Sequence, residues 1–312
     1  MPNGSGSAPS IGAVPASLTT LLRPLSAVAV VLALASCSTG VGPPVAAAAA
    51  TADLTSCTPA ALRTVVPGTL TLSTAAVTRA PWVLGGDART SGSPKDGKGY
   101  DAAVGYAVAD RLGFAAGQVT WRATPFATAL APGDKDFDVN VNQATINDRR
   151  RASVDLSSPY YVVRQAVVSL TGRPAAAART LADLRPARFA VVKGSPGQQA
   201  LADAGLAATT TAYPGLDQVR GAVSDAAQDA LVVDLPTALE LDRDDTRLVG
   251  GKLVGLLPRD GQHAEAFGLV LQKDSSLTPC VDAALASLRQ DGTLDRLERE
   301  WLVDRLAIAD LR

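Results

Sequence analysis

Few residues in this chain could do chemistry, and that scarcity already sorts the functions open to it. Among 312 residues there is one histidine, His263, and three cysteines, Cys37, Cys57 and Cys280. Ser-His-Asp triads and His/Cys metal clusters are almost excluded on that count, so no metal and no other cofactor is expected. No Gly-x-Gly-x-x-Gly or Walker A sequence occurs, which removes the usual nucleotide signatures. A formal net charge of −1 leaves no basic excess to neutralise phosphates, so nucleic acid is not an expected partner. What remains is a handful of polar groups at the ends of apolar runs. Arg150 stands in Arg149-Arg150-Arg151, which by itself reads as a solvated face. Asp234 closes the run Ala230–Val233 just before Pro236, where an aspartate either caps a helix or faces a ligand. Ser195 follows Gly194 in a strand-to-helix turn and is open to the same two readings. Asn142 and Gln143 precede Thr145 on a strand end, where polar groups would be unusual in a core and cleft lining fits them. His263, in a loop of glycines and charges, reads as solvent-exposed.

The elements that must hold these groups read as α/β. Hydrophobic residues make up 47% of the chain and aromatics 4%, an aliphatic supply that supports a sizeable core and rules out a disordered chain. Strand and helix signals alternate from about residue 68 onward. Thr69-Leu70-Thr71-Leu72 alternates with period two, as a half-buried strand does. From Asp101 to Leu112 a helix is expected, with Val104, Val108 and Leu112 on one face and Gly113 ending it. Val119–Trp121, Asp138–Val141, Phe189–Val192, Ala230–Val233 and Phe267–Leu271 are further strands. Thr278-Pro279 opens a helix that Asp291-Gly292 stops, and Thr293 starts another carrying Leu294, Leu297 and Trp301.

Residues 1–56 are different in kind. Arg23 precedes an apolar run from Leu25 to Ala35, too short for a membrane-spanning helix of about 20 residues. Its length fits the apolar core of a secretory signal. Leu34-Ala35-Ser36-Cys37 follows directly and resembles the lipobox of bacterial lipoproteins, whose cysteine sulfur takes diacylglycerol and becomes the mature N-terminus. The resemblance implies a signal peptide over 1–37 and attachment to the cell membrane by lipidated Cys37 alone. The stretch 38–56, rich in Gly, Pro and Ala, reads as a flexible tether.

Three segments carry a wider likeness: Thr145-Ile-Asn-Asp-Arg-Arg150 leading to Asp155-Leu-Ser-Ser-Pro-Tyr-Tyr161, then Val192-Lys-Gly-Ser195, then Asp229-Ala-Leu-Val-Val-Asp234. With Pro81-Trp82, Gly99-Tyr-Asp101 and Asp291-Gly-Thr…Trp301, they resemble, in order, the extracellular solute-binding proteins of polar amino-acid ABC transporters. The resemblance spans about residues 67–303. It implies a periplasmic-binding-protein-like fold of type II, with two α/β lobes and two crossovers. Lobe 1 would comprise 57–162 and 268–312, and lobe 2 would comprise 163–267. A polar amino acid would be captured in the cleft, hinge closure would bury it, and an ABC permease would read the closed form. The protein would act as a monomer and would not be an enzyme.

The resemblance also distributes roles. An amino-acid zwitterion must find an opposite charge at each end when buried. Arg150 would grip the carboxylate with its planar fork and Asp234 would receive the ammonium. Thr145 and Ser195 would add donors, with Gln143 and Trp82 in the cleft wall. Asn147-Asp148 replaces the family's Thr-Pro and keeps helix-start chemistry, whereas Pro196 lacks the amide of the threonine usual there. Arg79 occupies the place of a stacking aromatic; pointing inward, it would favour glutamate, aspartate or glutamine. With Cys37 assigned to lipid, Cys57 and Cys280 would pair in an oxidising compartment, both within lobe 1. The other classes to weigh on this fold are a sensory domain needing a partner receptor and a dehydratase, for which no poised acid or base beyond Asp234 is evident.

Overall fold

The stretch Leu70-Thr71-Leu72 opens the first strand, β1 (Leu70–Thr74), which is buried on both faces rather than half-buried: the threonines and Ser73 are as inaccessible as the leucines, since β1 lies inside its sheet. The structure, a computed structural model, describes residues 53–85, 92–243, 247–258 and 265–312. Cys37, most of the expected tether and His263 lie outside the described residues. Leu54–Ser56, within the stretch expected as tether, forms a 3₁₀ turn capped by the Asp53 carboxylate.

After β1 come α1 (Tyr100–Arg111), β2 (Val119–Ala123), α2 (Phe126–Leu130), β3 (Val139–Thr145), α3 (Asp148–Arg151) and β4 (Asp155–Val162). The second half of the chain runs β5 (Gln165–Leu170), α4 (Leu181–Leu184), β6 (Phe189–Val192), α5 (Pro196–Asp203), β7 (Thr210–Tyr213), α6 (Leu216–Ser224), β8 (Ala230–Asp234), α7 (Leu235–Arg243) and β9 (Gly251–Leu256). It closes with β10 (Ala266–Leu271), α8 (Thr278–Gln290), α9 (Thr293–Glu298), a π-helical turn at Arg299–Asp304 and β11 (Ala309–Asp310).

These strands form two sheets, ordered β2-β1-β3-β10-β4 and β11-β9-β5-β8-β6-β7. The α/β alternation and two-lobed architecture expected from the sequence are present. Within each sheet the parallel trio, β2-β1-β3 or β7-β6-β8, is linked through helices, as parallel pairing requires. Antiparallel β10 and β4 complete the first sheet, and β5 and β9 the second. The chain passes between sheets at residues 163–164 and again after β9. A third passage corrects the expected lobe boundary. Residues 268–312 do not all stay with the first sheet, because β11 pairs in parallel with β9 of the second. The burial of Leu311 and Ile308 draws the C-terminus there.

Apolar faces fix the layers. Leu70, Leu72, Val139 and Val141 of the first sheet share a core with Val104 and Val108 of α1 and with Val281 and Leu285 of α8. In the second sheet Val167, Phe189, Val191 and Val232 pack with Leu184 and Leu201. Each such side chain taken fully out of water contributes about 1.5–3 kcal/mol. Cys57 and Cys280 are both buried and joined by a disulfide, with Cα atoms 5.7 Å apart, tying the segment before β1 to the first turn of α8.

Candidate functional site

In each sheet the chain leaves the first parallel strand toward one side and later returns on the other, so adjacent connections diverge. Between β1 and β3, and between β6 and β8, this opens a crevice at the carboxyl ends of the strands, the usual ligand position in such sheets. Predicted residues stand at such ends in each sheet: Thr145 closes β3, Gly194-Ser195 follow β6, and Asp234 closes β8. A cavity of about 450 Å³ lies here. Segment 74–83, Asp101, Asn142 and Gln143 wall it from the first lobe, and Pro236, Leu239, Glu240, Arg243 and Arg247 from the second. That volume is at the small end of the range for ligand pockets.

Local chemistry fixes the loop that enters this cavity. Gly99 begins α1 with φ 99°, and a Cβ there would lie 2.6 Å from the Trp82 carbonyl oxygen. Glycine therefore lets the Pro81-Trp82 backbone sit on the helix start, where Tyr100 N–H donates to Pro81 O (3.1 Å) and Asp101 N–H to Trp82 O (2.9 Å). The α1 amides that lack helical partners are satisfied this way rather than by a side-chain cap. Trp82 itself turns away from solvent. It meets Tyr100, Tyr161 and Phe267 edge-on at centroid distances of 6.1, 5.6 and 6.1 Å, and is 3% exposed. Its indole belongs to the first lobe's core while one edge borders the cavity.

Arg79 reaches across the cavity mouth. Its Nη1 lies 2.5 Å from Glu240 Oε1 of α7, and Arg247 Nη1 lies 3.2 Å from Glu240 Oε2. Arg243 Nη1 donates to the Ala80 carbonyl at 2.6 Å. Arg79 borders the cavity, and its charge is met by Glu240. Glu240 stands 161 residues from Arg79 and no short-range pattern announces it.

Arg150, Thr145, Asp234 and Ser195 do not line this cavity. Arg150 sits in α3, whose start is capped by Asn147 Oδ1 accepting from Arg150 N–H at 2.9 Å. The guanidinium donates to Thr145 O at 2.7 Å and rests over the Phe126 ring, 5.3 Å from its centroid. It borders a separate hollow of about 420 Å³ with Asn147, Arg149 and Ser153. Partial burial lowers its pKa, with Glu265 opposing and Arg149 reinforcing that shift. Phe126, 38% exposed, is a site neighbour that the sequence reading missed. Asp234 caps α7: its Oδ1 accepts from Thr237 N–H and its Oδ2 from Thr237 Oγ1, each at 2.9 Å. Ser195 caps α5 through Gln198 N–H at 3.3 Å. For Asp234 and Ser195 capping is thus realised, and each stays partly accessible at a strand's carboxyl end.

Asp101 is the group that sequence reading passed over. It is 1% exposed and borders the cavity. Burial raises its pKa to about 7 against the pull of hydrogen bonds from Gln143 and Tyr160. Its only signal in sequence was its place in Gly99-Tyr-Asp101, read as a helix start. Among the described residues no group of His, Cys, Asp and Glu is arranged to hold a metal ion, and no helix is long and apolar enough to cross a membrane.

Comparison with known proteins gives a consistent result. Residues 90–304 match the bacterial extracellular solute-binding proteins, family 3. The lysine/arginine/ornithine-binding periplasmic protein of Escherichia coli is 27% identical over 220 residues, covering 67% of this chain and 82% of that protein. The L-cystine-binding protein TcyJ of the same species is 27% identical over 212 residues, covering 66% and 75%. Among solved structures, the unliganded, open L-cystine solute receptor of Neisseria gonorrhoeae is similar with 26% identity and a TM-score of 0.47, over 75% of this chain and 92% of that one.

Proposed function

The chain belongs to the bacterial extracellular solute-binding proteins of family 3, and from that premise we propose that it captures a polar amino acid between its lobes and delivers it to an ABC importer. The observation that carries this reading is the cavity of about 450 Å³ bounded by both lobes at the carboxyl ends of their parallel strands. Charged groups from the two lobes meet there, so a bound zwitterion that bridges them favours the closed form over the open one. Arg150 is assigned as the carboxylate grip from the family resemblance, although it borders a separate hollow; one nitrogen of its fork is used on Thr145 O and the group stays partly accessible. Asp234 and Ser195 supply the second lobe's share, with Thr145 and Gln143 opposite. The relatives named for lysine, arginine, ornithine and cystine support an amino-acid ligand. Cys37 holds the protein to the outer face of the cell membrane, within reach of the permease.

A thermal-shift screen against the twenty amino acids and common polar metabolites tests this. A ligand at one hundred times its dissociation constant stabilises the fold by about 2.7 kcal/mol, a readily measured shift. No shift with any amino acid would contradict the proposal. Asp101 is the one observation that favours a second, dehydratase-like reading, because a buried acid with a pKa of about 7 suits proton transfer. Turnover of prephenate-like or amino-acid substrates above background would establish it; none is expected.

A further inference from the structure

The buried carboxyl at the cavity wall stands in a one-way hydrogen-bond chain. Gln143 N–H donates to the Tyr160 hydroxyl oxygen at 3.1 Å, which directs that hydroxyl's own proton to Asp101 Oδ1, 2.9 Å away. Gln143 Nε2 donates to Asp101 Oδ2 at 2.8 Å. Each carboxyl oxygen of Asp101 thus meets one neutral donor and no charged one. Gln143 reaches this position with φ 51°, a left-handed backbone that a glutamine seldom adopts, so the geometry is held at some conformational cost. Among the described residues no guanidinium or ammonium pairs with Asp101. Two neutral partners oppose the burial of this carboxyl only in part, and a cation beside it would favour the carboxylate.

We propose that Asp101 reads the side chain of the bound solute, accepting a cationic group that completes its coordination, so that the cleft selects amino acids with a basic side chain. This rests on the solute-binding reading above and deepens it. It also reverses the preference that Arg79 suggested from sequence, because Arg79 and Arg247 are both turned onto Glu240. Several groups face Asp101 or its cavity. On α1, the Tyr100 hydroxyl is committed to the Tyr160 carbonyl at 2.8 Å. From β3 come the neutral amides of Asn142 and Gln143. From β4 comes Tyr160, whose pKa burial and the neighbouring Asp101 push well above its ordinary value, keeping it neutral. The 78–83 loop contributes Arg79, and α7 with the turn beyond it contributes Glu240, Arg243 and Arg247 across the cavity.

The sign of the pH effect follows. In the empty cleft Asp101 holds its proton up to pH of about 7. A cation placed against it favours the carboxylate, so binding expels a proton below that pH and affinity weakens as pH falls. Calorimetric titration of the exported protein with L-lysine and with its uncharged isostere L-norleucine, between pH 8 and pH 5.5, reads this directly. Lysine affinity should drop by about 30-fold over that range while norleucine stays level, as a single proton with a pKa of about 7 dictates. Asp101→Asn, with native packing checked by near-UV circular dichroism, should erase both the lysine preference and its pH slope. A level lysine affinity, or lysine no tighter than norleucine at pH 8, overturns the assignment of Asp101. If another amino acid binds while lysine shows neither effect, this inference fails alone. If none of the twenty binds, the solute-binding reading fails and takes this one with it.

Discussion

Replacing Cys57 and Cys280 together by serine tests whether the staple at the base of the first lobe holds the chain as its topology requires. The bridge joins residues 223 apart in sequence. By chain entropy, opening a loop of that size restores about 18 cal/mol/K to the unfolded ensemble, or about 5 kcal/mol at 25 °C. That figure is an upper bound, because unfolded chains are more compact than ideal coils. A second cost acts in the same direction: the two positions are 2% and 8% exposed, and serine hydroxyls there need partners that the sulfurs did not. A net loss of about 3–5 kcal/mol is expected. Urea unfolding of the oxidised wild type, the reduced wild type and the double variant measures it. The slope against urea should also rise in the two open forms, since their unfolded chains expose more surface. A loss below about 1 kcal/mol with an unchanged slope would refute the reasoning, as would two free thiols in non-reduced exported protein by mass spectrometry.

Other perturbations separate packing from binding. Trp82→Ala should cost about 3–5 kcal/mol of unfolding free energy, because the indole fills space among Tyr100, Tyr161 and Phe267. A small stability loss with a large affinity loss would instead make Trp82 a ligand-stacking group. Glu240→Gln should change stability by less than about 1 kcal/mol, since its partners are exposed. It should nonetheless open the unliganded protein, raising the radius of gyration in small-angle scattering; an unchanged radius would deny the cross-cleft tie. Asp101 also links stability to pH. Its value of about 7 in the fold against 3.8 for the ordinary group means the native state keeps a proton that the unfolded chain has lost between those pH values. Wild-type stability should therefore fall relative to Asp101→Asn as pH rises from 4 to 7 in urea titrations, and parallel profiles would contradict the burial of that carboxyl.

What the sequence revealed and what it hid divide along the range of the interactions involved. The strand at Phe189–Val192 and the helix start at Thr278 were legible because apolar runs and a Thr-Pro pair are local signals. The terminal strand Ala309–Asp310 was not, since two residues carry no period and their place is set by pairing with β9, more than fifty positions away. Within the site, Thr145, Ser195 and Asp234 could be placed at strand ends from pattern alone. The present hydrogen bonds of Ser195 and Asp234 are also local, which is why helix capping and ligand contact both fitted those two. The Arg79–Glu240 pair and the Asp101–Gln143–Tyr160 chain are assembled from distant segments. Burial is what raises the pKa of Asp101, and an aspartate in a Gly-Tyr-Asp helix start gives no hint of it. Trp82 was open to both packing and cleft lining, and only the surrounding rings decide that most of its surface packs.

Isothermal titration of the exported protein with each of the twenty amino acids, alongside Arg150→Ala, tests the central claim most directly. Saturable binding of one molecule per chain is predicted for at least one polar amino acid. Truncating one partner of a buried charge pair costs about 2–5 kcal/mol, so Arg150→Ala should weaken that binding by at least tenfold while the variant stays folded. Absence of heat and of saturation for every amino acid would contradict capture of an amino acid by this cleft. Binding that survives Arg150→Ala within a few fold would contradict Arg150 as the group that holds the carboxylate.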